Sequence, residues 1–260
     1  MDKIIARKQD GIGFLIFNNP EKRNAISLEM SLAAADVIED FAADPEVRVI
    51  VLSGAGDKAF VSGADISKFD KDRATPEQVA EYSKKAKRFR VGLRAVGKPT
   101  IAKIRGYCLG GGLGLALNCD LRICAEDAQF GIPAARLGVG YAAEALNQLV
   151  RLVGPSTAKE VLFTARRYNA QEALRVGLVN QVVPVAELDE YVAKYAAGIV
   201  GNAPLSIIAA KRVVDELVKD PEERDDALCD QVVTACFASQ DYIEGRRAFM
   251  EKRRAVFVGR

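Results

Sequence analysis

Residues 100–107 (TIAKIRGY) read as a strand, and shortly beyond them Gly110, Gly111 and Gly112 open a helix. A strand handed through glycine to a helix belongs to a crossover, and crossovers build parallel sheets covered by helices. The same succession recurs through the first half of the chain. RVIVLSG (48–54) is almost wholly apolar, as a parallel strand buried on both faces must be. A glycine-bearing loop and AFVSGAD follow, then a polar, basic helix over 76–96 that Gly97 and Pro99 end. The helix that begins near Gly111 leads to a strand at 121–125. Ahead of these, residues 3–8 and 12–17 form an opening hairpin around Gln9-Asp10-Gly11. Ser27 caps a helix over 28–42, with Glu29 in its first turn and Asp44-Pro45 closing it.

From about 142 onward the pattern is helical, through 142–152, 155–164, 170–176, 186–201, 204–218, 222–238 and 240–253, with a strand near 179–183. No repeat of fixed period and no low-complexity linker divides the chain. The expected organisation is an α/β core over 1–200 and a helical appendage over 201–260.

Composition narrows the chemistry. There is no histidine, which removes Ser-His-Asp, Cys-His and His-ligated metal sites and leaves general base work to Asp, Glu, Tyr, Lys or water. Cys108, Cys119, Cys124, Cys229 and Cys236 form no CxxC pair and read as reduced core thiols. A net charge of +2 gives no global argument for nucleic acid or a membrane. Residues 1–7 hold no apolar run like that of a signal peptide, and a cytoplasmic location is the expectation.

Two stretches carry chemistry. In Lys58-Ala59-Phe60-Val61-Ser62-Gly63-Ala64-Asp65-Ile66 a strand breaks into a glycine turn whose backbone N–H groups can face a cleft; a plain strand end capped by Asp65 is the other reading. In Ile104 to Gly114 the free N–H groups of a helix start favour developing negative charge, and glycine lets a ligand approach the backbone. The alternative is a tight turn with close helix packing through Gly112, Gly114 and Ala116. The spacing is neither GxGxxG nor a P-loop. Asp120 is expected to pair with Arg105 or Arg122 beneath this segment.

NNPEKRNAIS, AFVSGADIS, IRGYCLGGGLGLALNCDLRICAEDAQFGIPAARLGVG and DYIEGRRAFMEKRRAVF, in that order, resemble the crotonase superfamily, the enoyl-CoA hydratase and isomerase family. The resemblance spans nearly the whole chain. It implies an α/β spiral of ββα turns, a helical C-terminal trimerisation region, and trimers or dimers of trimers. The substrate implied is an acyl-CoA thioester, with coenzyme A as part of the substrate and no further cofactor or metal. By position, Ala64 and Gly111 match the residues whose amides hold the thioester oxygen. Lys22, Arg23 and Ala25 match the segment lining the CoA nucleotide site, Asp65 and Ile66 the pantetheine channel, and Phe249 and Lys252 positions that reach a neighbouring subunit's CoA. A solvated basic face accounts for Lys22, Arg23 and Lys252 equally well.

The hydratases of the family use two glutamates, and the matching positions here are Gly114 and Ala134. Both residues are small and enlarge the pocket, which suits a branched or cyclic acyl group. Downstream, Tyr141 falls where the family's methylmalonyl-CoA decarboxylases carry a tyrosine, and it also reads as a residue packing at a turn. Glu144 is the best remaining general base if it points inward, and otherwise a first-turn residue facing the helix dipole. Three readings follow: a hydratase-class lyase or isomerase using Glu144, Tyr141 or a held water; a decarboxylase or related enolate-forming enzyme; and a non-catalytic acyl-CoA-binding subunit.

Overall fold

In a computed structural model, which describes residues 2–65 and 75–260, the strands fall into two sheets. The larger runs β1-β2-β3-β5-β7-β10 across its width. Its members are β1 (Ile4–Gln9), β2 (Ile12–Phe17), β3 (Val49–Gly54), β5 (Thr100–Ile104), β7 (Leu121–Ala125) and β10 (Gln181–Val183). Among the described strands of this sheet only the β1–β2 pair is antiparallel, turning through Asp10 and Gly11 at φ 51° and 78°. The smaller sheet runs β4 (Ala59–Val61), β6 (Tyr107–Leu109), β8 (Gln129–Gly131) and β9 (Tyr168–Asn169).

From β3 to β8 consecutive strands alternate between the sheets. β3 is followed by β4, β5 by β6 and β7 by β8, so each turn of chain contributes one strand to each sheet before a helix. The single strand expected over 100–107 is therefore two strands. The chain bends at Gly106, whose φ of 61° only glycine adopts freely. The strands β8 and β9 have three and two residues, too short to leave a periodic trace in the sequence.

Both faces of the larger sheet are covered, which explains its unbroken apolar runs. Val49, Val51, Ile101 and Ile123 pack with Leu188, Val192 and Ala196 of α6 (Leu188–Val200). The alternate residues Ile50, Leu52, Ala102 and Cys124 face the main core with Met30, Ile38 and Phe41 of α1 (Leu28–Ala43) and Phe89 and Leu93 of α2 (Pro76–Ala95). Burying each large side chain of this set contributes roughly 2 kcal/mol. Ser27 caps α1 by accepting from Met30 N, and Thr75 with Gln78 forms a capping box on α2.

A short helix, α3 (Gly111–Ala116), follows β6. Next comes α4 (Ala143–Thr164), broken at Gly154 (φ 74°) before Pro155, where two helices were expected. Then come α5 (Ala170–Arg175), α6, α7 (Pro204–Leu217), α8 (Asp226–Phe237) and α9 (Gln240–Met250). The helix expected from 222 begins at Asp226, because Pro221–Glu223 form a separate 3-10 turn. Among the described residues no single helix is long and apolar enough to cross a membrane.

The C-terminal helices are tied to the sheet by charge. Lys211 of α7 meets Asp120 at 2.8 Å and donates to Lys98 O at 3.0 Å. Arg48 donates to Val200 O and Phe257 O. The expected pairing of Asp120 with an arginine is corrected by these contacts. Arg105 lies 3.5 Å from Asp127, and buried Arg122 donates to the carbonyls of Leu178 and Cys119. The carboxylate of Asp120 instead receives Lys211 from a helix remote in sequence, a partner no local pattern points to.

Candidate active site

β4 ends at Val61, and the chain beyond it is held by Ile26. Ile26 N donates to Gly63 O at 2.8 Å and Asp65 N donates to Ile26 O at 2.9 Å. In such a parallel bridge the flanking residues pair with the partner, and the middle residue turns its own N–H the other way. That residue is Ala64. Among the described residues its amide donates to no group of the chain.

From the second sheet, β6 brings in Gly110. Its N–H is bonded to Gly131 O at 2.8 Å and its backbone sits at φ 53°, ψ −119°, a region open to glycine. Among the described residues the next amide, that of Gly111, donates to no group of the chain. The two segments then meet. A β-carbon built on Gly111 would stand 3.7 Å from Ala64 N, and one built on Gly63 would stand 3.8 Å from Gly111 N. Gly112 makes the approach possible: a β-carbon there would fall 2.0 Å from Val61 O. Two main-chain donors thus lie side by side, with a helix start behind one of them.

Tyr141 closes one side. Its phenol oxygen lies 3.7 Å from the β-carbon position of Gly110, with the Pro133 ring 4.0 Å from the same point. Burial raises the phenol above its ordinary pKa of 10.0, so it is neutral and able to donate a hydrogen bond at neutral pH. On the other side, a β-carbon at Gly114 meets no atom of the described residues within 4 Å, and Ala134 is buried in the turn after β8.

Glu144 does not join this group. It occupies the first turn of α4 and its half-exposed carboxylate pairs with Lys87 of α2 at 3.3 Å. The inward orientation that would make it the general base is therefore corrected: a cation on a neighbouring helix holds it at the surface. The cysteines are equally distant from chemistry. Burial pushes the thiols of Cys119 and Cys124 up to about 12 and that of Cys108 well above its usual value, so none forms a thiolate near neutrality.

The other singled-out residues divide. Lys22 pairs with buried Asp65 at 3.0 Å, linking the 20–26 loop to the chain just past Ala64. Ala25 is buried beneath the same loop, while Arg23 is exposed and stacks on the Tyr107 ring, 5.2 Å from its centroid. Arg23 also borders a 280 Å³ hollow with Pro20, Gly56 and Lys58. Ile66 lies outside the described residues. Phe249 and Lys252 sit at the far C-terminal surface, Phe249 on the wall of a 680 Å³ groove among α8, α9 and the tail. Among the described residues, no three His, Cys, Asp or Glu side chains converge as metal ligands.

Sequence reasoning missed Asn24. Fully buried at φ 56°, it donates to Ala55 O and Ala59 O and accepts from Asn19 N, fixing the loop that supplies Ile26. An Asn-rich turn before a helix cap was the only trace of it.

Comparison with known proteins identifies the family. The sequence profile described as enoyl-CoA hydratase/isomerase matches residues 7–260. A crotonyl-CoA hydratase of Syntrophomonas wolfei is 38% identical over all of this chain and 99% of its own length. A carnitinyl-CoA dehydratase of Salmonella typhi is 36% identical over 92% of each chain. An enoyl-CoA hydratase/carnithine racemase of Magnetospirillum magneticum superposes with a TM-score of 0.96 at 37% identity, covering 100% of this chain and 97% of its own. The alternation of strands between two sheets is the crotonase fold, and with likeness of this extent the chain belongs to the enoyl-CoA hydratase/isomerase family of acyl-CoA enzymes.

Proposed function

We propose that the chain binds an acyl-CoA thioester and stabilises its enolate with the backbone amides of Ala64 and Gly111, using acid and base groups other than the glutamate pair of the family's hydratases. The observation that carries this reading is the closeness of the two segments, a β-carbon built on Gly111 standing 3.7 Å from Ala64 N, each with an amide that donates to no group of the described chain. When a thioester loses an α-proton, gains a nucleophile at Cβ or loses CO2, negative charge moves onto its oxygen. Each pre-aimed donor contributes about 3 kcal/mol to that step. Backbone donors do so without titrating.

The relatives named as a crotonyl-CoA hydratase and a carnitinyl-CoA dehydratase support addition or removal of water as the reaction class. With Gly114 and Ala134 at the glutamate positions, proton transfer falls to a held water or to Tyr141. Tyr141 also favours a second reading, a decarboxylase. A neutral phenol beside the amides can orient a leaving carboxylate, and CO2 loss needs enolate stabilisation more than a strong base. Lys22, Arg23, Ala25, Asp65 and Ile66 would line the coenzyme A path, and no cofactor beyond that substrate is required.

Residues 201–260 would serve assembly into a trimer or dimer of trimers. Phe237, Ile243, Phe249 and Met250 are 62% to 84% exposed, and large apolar side chains left in water favour burial against another chain. Phe249 and Lys252 would then reach a neighbouring subunit's CoA.

The test offers purified protein crotonyl-CoA, a branched unsaturated acyl-CoA and methylmalonyl-CoA, with products followed by mass spectrometry. Hydrated product supports the first reading and released CO2 the second. Binding without turnover across the panel points instead to a non-catalytic subunit.

A further inference from the structure

Tyr107 opens β6, with Ala59 of β4 as its partner on one side and Gln129 of β8 on the other. Its half-buried ring carries two cations from segments far apart in the sequence. The guanidinium carbon of Arg23 lies 5.2 Å from the ring centroid and that of Arg167 lies 5.0 Å from it. The two charges are therefore within about 10 Å of each other, the distance over which 0.1 M salt screens a charge. Like charges so placed repel, and a carboxylate between them would offset this.

The neighbouring carboxylates are committed elsewhere. Asp65 takes Lys22, Asp127 lies against Arg105, and Glu160 and Glu172 both take Arg166, the residue beside Arg167. Among the described residues Arg23 makes no ion pair and no side-chain hydrogen bond, and Arg167 donates from Nη1 to the neutral Gln129 Oε1 at 3.2 Å. A guanidinium over an aromatic face is fixed in place while its N–H donors, which lie in its own plane, stay available. Two of them on one ring make a seat for an anion with several oxygens, and a phosphate has that form. The seat also stands at a useful distance from the two amides. Arg23 O accepts from Ser62 N at 3.1 Å, just before Ala64, and Tyr107 precedes Gly111 by at most about 14 Å of extended chain. The pantetheine arm that separates a thioester from the diphosphate of coenzyme A is of the same order.

We infer that Arg167 is a second phosphate-binding arginine beside Arg23, that Tyr107 positions both, and that the chain therefore selects thioesters of coenzyme A over phosphate-free thioesters of pantetheine. This rests on the reading of the site as one for an acyl-CoA thioester.

Calorimetric titration of the full chain tests it without requiring turnover. The wild type is expected to bind butyryl-CoA more tightly than S-butyrylpantetheine, which lacks every phosphate. Arg167→Gln should weaken butyryl-CoA binding by about tenfold, the worth of one hydrogen bond to a charged group, and should make that binding less sensitive to added salt. Tyr107→Phe keeps the ring and should bind as the wild type does, whereas Tyr107→Leu should lose affinity much as Arg167→Gln does. Arg167 is exposed, so its variant carries the measurement if the leucine does not fold. An Arg167→Gln affinity within twofold of the wild type, a loss with the salt dependence unchanged, or a wild type that binds both thioesters equally overturns the inference and leaves the amide assignment standing. A wild type that binds neither overturns the acyl-CoA reading as well.

Discussion

Lys211 Nζ lies 2.8 Å from Asp120 Oδ2, and the same oxygen accepts from Thr100 N at 2.7 Å and Thr100 Oγ1 at 2.9 Å. One carboxylate oxygen therefore joins α7, the start of β5 and the chain that leaves α3. Replacing it should be felt in all three. Asp120→Ala should destabilise the fold by about 2 kcal/mol, because it leaves a nearly buried ammonium and an amide without their acceptor. In a double-mutant cycle with Lys211→Met the two losses should add to less than their sum. Urea unfolding gives both numbers, and strict additivity would contradict the shared network.

Gly111→Pro addresses the amide directly. Gly111 is the first residue of α3, where proline is tolerated and the missing N–H breaks no helical bond. The fold should survive while kcat/KM falls by about a hundredfold or more. Circular dichroism beside steady-state kinetics separates the two effects, and full activity in a folded variant would remove Gly111 from the site.

Gly112→Ala should act through packing. Its β-carbon would stand 2.0 Å from Val61 O, so β4 and α3 must separate. The expected loss is about 3 kcal/mol of stability, with reduced turnover, since the two amides would part company. A thermal melt within one degree of the wild type would show that the segments can yield.

Glu144→Gln should change kcat/KM by less than about threefold and stability by under about 1 kcal/mol, because the ion pair with Lys87 is exposed. A drop of tenfold or more at saturating substrate would mean that the carboxylate swings inward during turnover.

The pH profile offers two further readings. If Tyr141 acts as a neutral donor, its raised phenol pKa puts the alkaline limb of kcat above 10, and Tyr141→Phe should remove that limb. Glu244 behaves in the opposite sense. Hydrogen bonds from Arg253 and Val256 N hold its carboxyl down to about 2 from an ordinary 4.5, so the docking of the tail on α9 is fully supported above 4.5 and weakens as the pH falls toward 2. Amide exchange at residues 253–258 should rise in that window; exchange that stays flat would discount the pair.

The order of the strands in the larger sheet and of the helices, the cap at Ser27 and the break at Gly154-Pro155 were legible because each is a local choice of residue. So was the chemistry-bearing turn at Gly110–Gly112. What escaped is non-local. The bridge from Ile26 to Ala64, the clasp between Lys211 and Asp120 and the outward pairing of Glu144 with Lys87 each join residues dozens of positions apart. The second sheet was blurred for another reason: its strands have two or three residues, below the length at which a period can be counted.

The seat proposed between Ala64 and Gly111 is made of main chain, which every residue but proline supplies, so most substitutions leave its donors in place. The other walls proposed for it, at Ala134, Tyr141 and Lys22, are side chains that can be exchanged singly, and Gly114 can gain one. On the proposed reading, a molecule built this way would separate the inheritance of a reactive intermediate from the choice of what happens to it. New reactions can then be tried one pocket residue at a time, without dismantling the feature that makes any of them possible.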